Sequence, residues 1–211
     1  TKDLLKEMLV FQAPHDRIVF SCWENELEKI ELLQQFQFQL FRKTYMEKCE
    51  ISVLLKKLSE ITSPQVLLSL GQVLTQPSLA EELFKLLKHS YEQTHLHNPA
   101  QIEDWLVWKD KLLNDNPDLE LSYIAIDNSC VNAYIFLHPI DEEHYEIGWV
   151  GQQGNTDLLP ILKKQLIKLQ DKGIKSVEFE VDTTDYNAWQ FANVLDLNSK
   201  IGWHSYIFKN S

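Results

Sequence analysis

The chain of 211 residues carries 31 acidic and 20 basic side chains, and therefore a formal net charge of −11. An acidic chain repels phosphate backbones, so this balance argues against binding to nucleic acid. Hydrophobic residues make up 44% of the chain, which is enough for a sizeable core and excludes bulk disorder.

The first fifty residues predict a short series of alternating helices and strands. Apolar spacing and runs of β-branched and aromatic residues predict helices over 3–11 and 25–36 and strands over 17–23 and 38–45. Residues 51–76 are predicted to be helical, with Pro64 and Pro77 punctuating them. We interpret residues 51–77 as a helical connector between two units.

A longer α/β series begins after this connector. Ser78 and Glu81 have the spacing of a capping box, which predicts the start of a helix at Ser78. The elements predicted after it are a helix over 102–113, a hairpin of strands 123–126 and 131–136, a strand over 145–150, a helix over 157–172, a strand over 177–181, a helix over 185–194 and a closing strand over 202–208.

Residues 151–156 form a glycine-containing loop between a predicted strand and a predicted helix. Backbone N–H groups and the helix dipole at such a turn attract anions, so the loop is a candidate phosphate site. Two glycines three positions apart are a weak pattern, and an ordinary strand-to-helix turn is the alternative interpretation.

The order of elements in the first fifty residues repeats that of the last part of the chain. This repeat predicts three regions: a partial unit over 1–50, the connector over 51–77 and a complete unit over 78–211. The alternative is that any α/β unit shows helix, strand, helix and strand in this order.

From about Ser78 to its end, the chain resembles the GNAT (GCN5-related) superfamily of acetyl-CoA-dependent N-acetyltransferases in its order of elements, and residues 17–45 resemble the rear half of such a domain. The resemblance implies the α/β acyl-CoA N-acyltransferase (GNAT) fold. This fold has a mixed, mostly antiparallel sheet with helices on both faces, here preceded by a truncated front half-domain.

The same resemblance implies where acetyl-CoA would bind. In the family the pantetheine arm bonds to the backbone of a splayed strand, here Ile147, Gly148, Trp149 and Val150. The pyrophosphate lies on the loop that follows, here Gly151, Gln152, Gln153, Gly154, Asn155 and Thr156. Gly154 matches the central glycine of the family's loop pattern, and Asp185 stands where a second family pattern begins.

The resemblance also implies catalytic roles. The position of the family's proton-donating tyrosine holds Ala192, so Tyr206 and Tyr186 are the substitutes considered. Glu146 is the candidate general base, and Glu180 and Asp182 are further candidates. The alternative interpretation of each carboxylate is an ordinary surface residue.

The resulting hypothesis is an N-acetyltransferase in which an amine attacks the acetyl thioester directly. The acceptor is a small molecule or peptide amine, such as a polyamine, an aminoglycoside or a peptide N-terminus. The alternatives are a catalytically silent GNAT-fold module that binds acyl-CoA or a protein partner, and an α/β protein whose likeness is accidental. The partial unit is expected either to pack against the whole domain or to pair with its copy in a homodimer.

Metal, disulfide and membrane functions are not predicted. Cys22, Cys49 and Cys130 form no CxxC pair, and His95 and His97 have no evident partner ligands. No apolar run reaches about 18 residues, and the acidic start does not resemble a signal peptide. We therefore expect a cytoplasmic protein.

Overall fold

The computed structural model describes residues 17–62, 66–97, 104–154, 156–197 and 202–209. Within these ranges the strands are β1 (Arg17–Trp23), β2 (Gln39–Glu50), β3 (Val66–Ser69), β4 (Tyr123–Asp127), β5 (Cys130–Pro139), β6 (His144–Gln152), β7 (Ser176–Asp182) and β8 (Gly202–Lys209). The helices are α1 (Leu27–Gln35), α2 (Ile51–Lys57), α3 (Leu70–Leu74), α4 (Pro77–Thr94), α5 (Trp105–Asn114), α6 (Leu159–Asp171) and α7 (Tyr186–Val194).

The eight strands form one sheet in the order β1-β8-β2-β7-β6-β5-β4-β3. Every neighbouring pair is antiparallel except β6 and β7, which run parallel. Helices cover both faces of this sheet. The mixed, mostly antiparallel sheet with helices on both faces is therefore confirmed.

Each face of the sheet has its own core, and β5 contributes to both. Ile135 and Leu137 join the cluster beneath α2, α6 and α7, whereas Tyr134 and Phe136 join the cluster beneath α3, α4 and α5. Successive side chains of a strand point to opposite faces, so a strand covered on both sides is apolar along its whole length. This arrangement explains the unbroken apolar run of β5.

Strands from the front of the chain are part of the same sheet. β2 lies between β7 and β8, with Thr44 opposite Asp182, and β1 forms the outer edge beside β8. α1 covers this end of the sheet through Leu33, which is buried with Phe38. The front segment thus packs against the rest of the chain, the first of the two arrangements expected; the predicted boundaries at residues 50 and 77 stay a prediction.

Two local predictions in the connector were wrong. Val66–Ser69 was predicted to be helical but forms β3, which pairs with β4. A short apolar run fits a helix or a strand equally well, and here pairing with an open sheet edge decides. The second error concerns the start of α4, where Gln76 is the N-cap and Pro77 takes the first turn, so Ser78 caps nothing. The capping box is instead that of α3.

The tight turn of the β4–β5 hairpin was predicted correctly. Asn128 and Ser129 both have positive φ, 48° and 65°, as a type I′ turn between antiparallel strands requires. The helix predicted over 3–11 lies outside the described residues. Within the described ranges, no helix combines the length and the apolar character needed to cross a membrane.

Candidate functional site

β6 and β7 separate partway along their length. They pair from His144 opposite Ser176 to Ile147 opposite Phe179, although β6 continues to Gln152. On its other side β6 stays paired with β5 to its end. Beyond Ile147, one edge of β6 therefore presents backbone N–H and C=O groups without a strand partner. A gap beside this strand is what the family resemblance implied.

Two glycines shape β6 along this gap. Gly148 is an extra residue between two paired positions of β6, which makes it a β-bulge. A Cβ atom on Gly148 would lie 2.6 Å from Nδ1 of His138, and one on Gly151 would lie 2.5 Å from the ring of Tyr134. Only glycine lets these two rings of β5 pack beside β6.

A cavity of about 500 Å³ opens at the gap. It lies between β2, β6 and β7, and it is bordered by the C-terminal end of α4 and the start of α7. We call it the acid cleft, because five carboxylates and one guanidinium line it: Asp115, Glu146, Glu180, Asp182, Asp185 and Arg42.

The carboxylates of Glu146 on β6 and Glu180 on β7 both have raised pKa values. Burial, followed by the charges of Asp182 and Glu146, raises the pKa of Glu180 to about 7. Burial is also the main reason why the pKa of Glu146 is raised, with Glu178 and Asp115 adding to it. The Glu180 side chain keeps access to water, which screens part of the repulsion. A carboxylate with a pKa near neutrality is suited to accept a proton at pH 7.

Asp182 is held by two side chains from the front of the chain. Nη1 of Arg42 lies 3.2 Å from its Oδ2, and the Thr44 hydroxyl donates a hydrogen bond to its Oδ1. The same Arg42 nitrogen is 3.2 Å from Nε2 of His95. β2 therefore supplies part of the wall of the acid cleft, and Asp182 is the carboxylate that its neighbours compensate.

Aromatic rings form the opposite wall. Tyr91 stacks on His95 with ring centroids 3.8 Å apart, and Trp149 lies 6.1 Å from Tyr91. The indole N–H of Trp149 donates to Oδ2 of Asp115 over 2.8 Å. His138 lies 3.4 Å from the same carboxylate oxygen, and burial lowers the pKa of its imidazole.

Part of the predicted site lies at this place. Gly148, Trp149, Val150, Glu146 and Asp185 all line the acid cleft, as do the further candidates Glu180 and Asp182. Ile147 is the last residue of β6 paired with β7, and its side chain is buried in the core.

Asp185 has a second role at the start of α7. It is the N-cap residue, and its Oδ1 accepts hydrogen bonds from the backbone N–H groups of Asn187 and Ala188. Burial raises the pKa of this carboxyl, and the two backbone donors oppose that shift.

The structure does not bring Tyr206 into the cleft. Ser205 lies opposite Arg42, so these two point to the cleft face of the sheet and Tyr206 points to the other face. There Tyr206 is buried against Leu33 and Phe38. Tyr186 is not a lining residue either, because its ring is 68% exposed and its hydroxyl accepts from Gln190.

Sequence reasoning missed a third tyrosine that does line the cleft. Tyr134 of β5 is buried directly opposite Gly151. Burial raises the pKa of its phenol, and a hydrogen bond with Ser90 opposes that shift only in part. Such a phenol stays protonated and can donate a proton. The sequence did contain a signal for Tyr134: the neighbouring strand β6 has Gly148 and Gly151, which leave room for rings of β5.

The loop at the other end of the gap differs from the expectation. Gln152 and Thr156 border a second cavity of about 380 Å³, and Gly154 has φ of 65° with open space around it. The N–H of Gln153 already donates to Asn132, over 2.7 Å. Asn155 lies outside the described residues.

The start of α6 is already occupied by an anion of the chain itself. The Asp157 carboxylate accepts from the N–H of Leu159 over 3.0 Å, and Pro160 in the first turn has no N–H to offer. We call residues 152–160 the loop end of the gap. In the part of the chain that the structure describes, no group of three or more His, Cys, Asp or Glu could hold a metal ion.

No family model matches the chain, and no curated protein matches it in sequence. Solved structures do match it, among them a GCN5-related N-acetyltransferase from Sphaerobacter thermophilus, with a TM-score of 0.64 and 12% identity. That match covers 99% of this chain and 65% of the other. A tandem GNAT protein from the clavulanic acid biosynthesis pathway matches with a TM-score of 0.61 and 8% identity, over 100% of this chain and 67% of its own.

A third match is a conserved protein of unknown function from Enterococcus faecalis V583, described as a probable N-acyltransferase. Its TM-score is 0.59 at 10% identity, and the match covers 100% of this chain and 48% of that one. The chain thus spans between about half and two thirds of the length of these three proteins. At such identities the likeness concerns the fold.

Proposed function

Since the chain has the fold of the GCN5-related N-acetyltransferases, we propose that it is an N-acyltransferase that uses acetyl-CoA. The acetyl group passes directly to an amine bound in the acid cleft. The observation that carries this proposal is the meeting of an unpaired β6 edge with a carboxylate whose pKa is raised to about 7.

The residues of the gap fit the arm of the coenzyme. Amide groups of an extended arm can bond to the free edge of β6 from Gly148 to Gln152, as an added strand would. Thr156, Asn187 and Asn193 offer neutral polar side chains in the second cavity, where the phosphates would lie. Acetyl-CoA supplies a thioester carbonyl carbon that an amine can attack.

The cleft residues then handle the protons. Glu180 removes a proton from the acceptor ammonium, so that the amine nitrogen has a free electron pair. The new bond joins this nitrogen to the acetyl carbon while the carbon–sulfur bond breaks. The leaving sulfur takes a proton from Tyr134, whose raised pKa keeps the phenol protonated. The acylated nitrogen then gives up its second proton, which returns through solvent to Tyr134 and restores the phenol. Glu146 lines the same cleft and is the second candidate base.

One set of observations favours a catalytically silent module that binds acyl-CoA or a protein partner. Asp157 places a negative charge where phosphates would bind, and Pro160 removes one backbone donor there. Ala192 offers no proton donor and is buried in the core. Asp157 and Pro160 weaken phosphate binding, and Ala192 leaves the family's proton-donor position without an acid.

Two measurements separate these functions. Calorimetric titration with acetyl-CoA reports donor binding, and thiol release against a panel of amines reports transfer. Binding with amine-dependent release is the expected result, and Tyr134→Phe is expected to slow that release. Binding without release for any amine would favour the silent module, and no binding at millimolar acetyl-CoA would reject both.

We further propose a cytoplasmic location, which is supported by the three cysteines, none of which forms a disulfide. A homodimer also stays a proposal, and the mass of the protein in solution tests it. A monomeric mass at the concentration of the activity assay would reject it.

A further inference from the structure

The acceptor site has an ordered row of carboxylates. Glu178, Glu180 and Asp182 alternate with the buried Val177, Phe179 and Val181, so all three acids stand on the same face of β7. Glu180 and Asp182 line the acid cleft, whereas Glu178 lies outside its lining, with Lys48 of β2 opposite. Side chains two residues apart on a strand stand about 6.6 Å apart. Glu146 extends the row sideways, because it lies opposite Glu178 in the parallel pair.

The residues that line the acid cleft carry more acidic than basic groups. Five carboxylates face one guanidinium, so four carboxylates have no cationic partner among the lining residues. That guanidinium, of Arg42, is 3.2 Å from Asp182. The two lining imidazoles do not compensate, since burial lowers the pKa of both His95 and His138. A ligand with more than one positive charge would relieve this repulsion.

A second observation points to an amine. His138 is only 8% exposed, lines the cleft, and has a buried Nδ1 without a hydrogen-bond partner. A neutral imidazole nitrogen accepts a hydrogen bond from an ammonium or amine N–H. The aromatic wall also suits cations, because the Lys111 ammonium already lies 4.7 Å from the ring centroid of Tyr91 and 5.8 Å from that of Trp149.

We infer that the acceptor is a linear polyamine, with one amine at Glu180 and a second ammonium at the next carboxylate of the row. This inference rests on the proposed acyl transfer. The spacing of the row is comparable to the separation of the two nitrogens in an extended 1,4-diaminobutane. An amine with one positive charge would pair with only one carboxylate of the row.

A series of amines of similar shape tests the inference. Butylamine, 1,4-diaminobutane and a linear triamine differ mainly in charge. We expect kcat/KM, measured by thiol release, to rise roughly tenfold from the monoamine to the diamine, as one added charged contact of about 1.4 kcal/mol predicts. The advantage should shrink at high salt.

Variants and a binding measurement distinguish failure of the polyamine inference from failure of the proposed acyl transfer. Glu178→Gln should reduce the diamine-to-monoamine ratio, because it removes one charge from the row, whereas Glu60→Gln, the same change at an exposed residue outside the row, should not. Equal kcat/KM for all three amines would overturn the polyamine inference and leave acyl transfer intact. Calorimetric binding of the triamine without any transfer would overturn acyl transfer and leave the amine site intact. Absence of triamine binding together with absence of a charge preference would overturn the inference.

Discussion

The two ends of the gap between β6 and β7 differ in how many of their polar and charged groups have partners within the chain. At the loop end, Asp157 caps the N–H of Leu159 and Asn132 accepts the N–H of Gln153. In the acid cleft, by contrast, carboxylates repel one another, and burial and mutual charge keep the pKa of Glu180 near 7. Unsatisfied groups mark the place where a ligand gains most. The contrast therefore supports the proposal that acyl transfer takes place in the cleft and that the loop end binds phosphate weakly.

The largest expected effect is that of Glu180→Gln, which acts on the cleft alone. Loss of a general base lowers kcat/KM by roughly 10²–10⁴. In the parent protein, kcat/KM should rise with pH through about 7, because only the ionised form of Glu180 accepts a proton. The measurement is steady-state thiol release across pH 5.5–9. Below the pKa, kcat/KM should rise roughly tenfold for each unit of pH, because the ionised fraction of Glu180 rises by that factor.

The matched control is Glu60→Gln, which should keep the parent rate and pH profile. The affinity for acetyl-CoA should stay unchanged in Glu180→Gln, since the loop end is untouched. A profile in Glu180→Gln with the same midpoint near pH 7 would assign that titration to another group, and Glu146 would become the leading candidate.

Next in size is Gly151→Ala, which tests the packing of the cleft floor. The new Cβ would lie 2.5 Å from the Tyr134 ring, and this ring is buried and cannot move aside cheaply. We expect the free energy of unfolding to fall by about 1–3 kcal/mol, as overpacked cores show. Urea unfolding is the measurement.

Gly154→Ala is the comparison at the loop end, where a Cβ has no neighbour within 4 Å. Its cost comes from a φ of 65° and should be about 1 kcal/mol. Equal losses in the two variants would mean that the Tyr134 ring yields, and that Gly151 is not required by packing.

A smaller effect is expected at the loop end from Asp157→Asn. Asparagine keeps an oxygen for the N–H of Leu159 but removes the negative charge, so acetyl-CoA should bind roughly tenfold more tightly in calorimetry, especially at low salt. Asp171→Asn, at the far end of α6, is the control. Unchanged affinity in Asp157→Asn would place the phosphates elsewhere.

The smallest expected effect is a shift of the pH profile in Arg42→Gln. Arg42 lowers the pKa of Glu180, so its removal should move the midpoint of the kcat/KM profile to higher pH. Lys43→Gln is the control, because Lys43 lies opposite His204 and points to the other face of the sheet. A midpoint that moves equally in both variants would indicate a general charge effect.

Periodicity was sufficient for most of the fold. The alternation of β7 and the hairpin turn at Asn128 were predicted from local patterns, because they depend on neighbours in sequence. β3 was not, since its pairing with β4 is a tertiary contact.

The sequence identified several residues of the cleft, but neither the order of the candidate bases nor the face of the sheet to which each side chain points. Glu180 was placed behind Glu146 because burial, which raises its pKa, cannot be read from sequence. Tyr206 was considered only as a substitute for the tyrosine that Ala192 replaces. The face of β8 that borders the cleft is set by pairing with the distant β2, which no local pattern of the sequence shows.

The insertion of β2 between β7 and β8 has a consequence for how the protein is made. Thr44 and Asp182, which touch across this junction, are 138 positions apart in the chain. During synthesis β2 leaves the ribosome long before either neighbour exists, and both its edges stay unpaired until β7 and β8 have been made. Such distant pairing is slow to form. A nascent chain that stalls before β8 carries every carboxylate of the cleft, yet one edge of β2 has no partner.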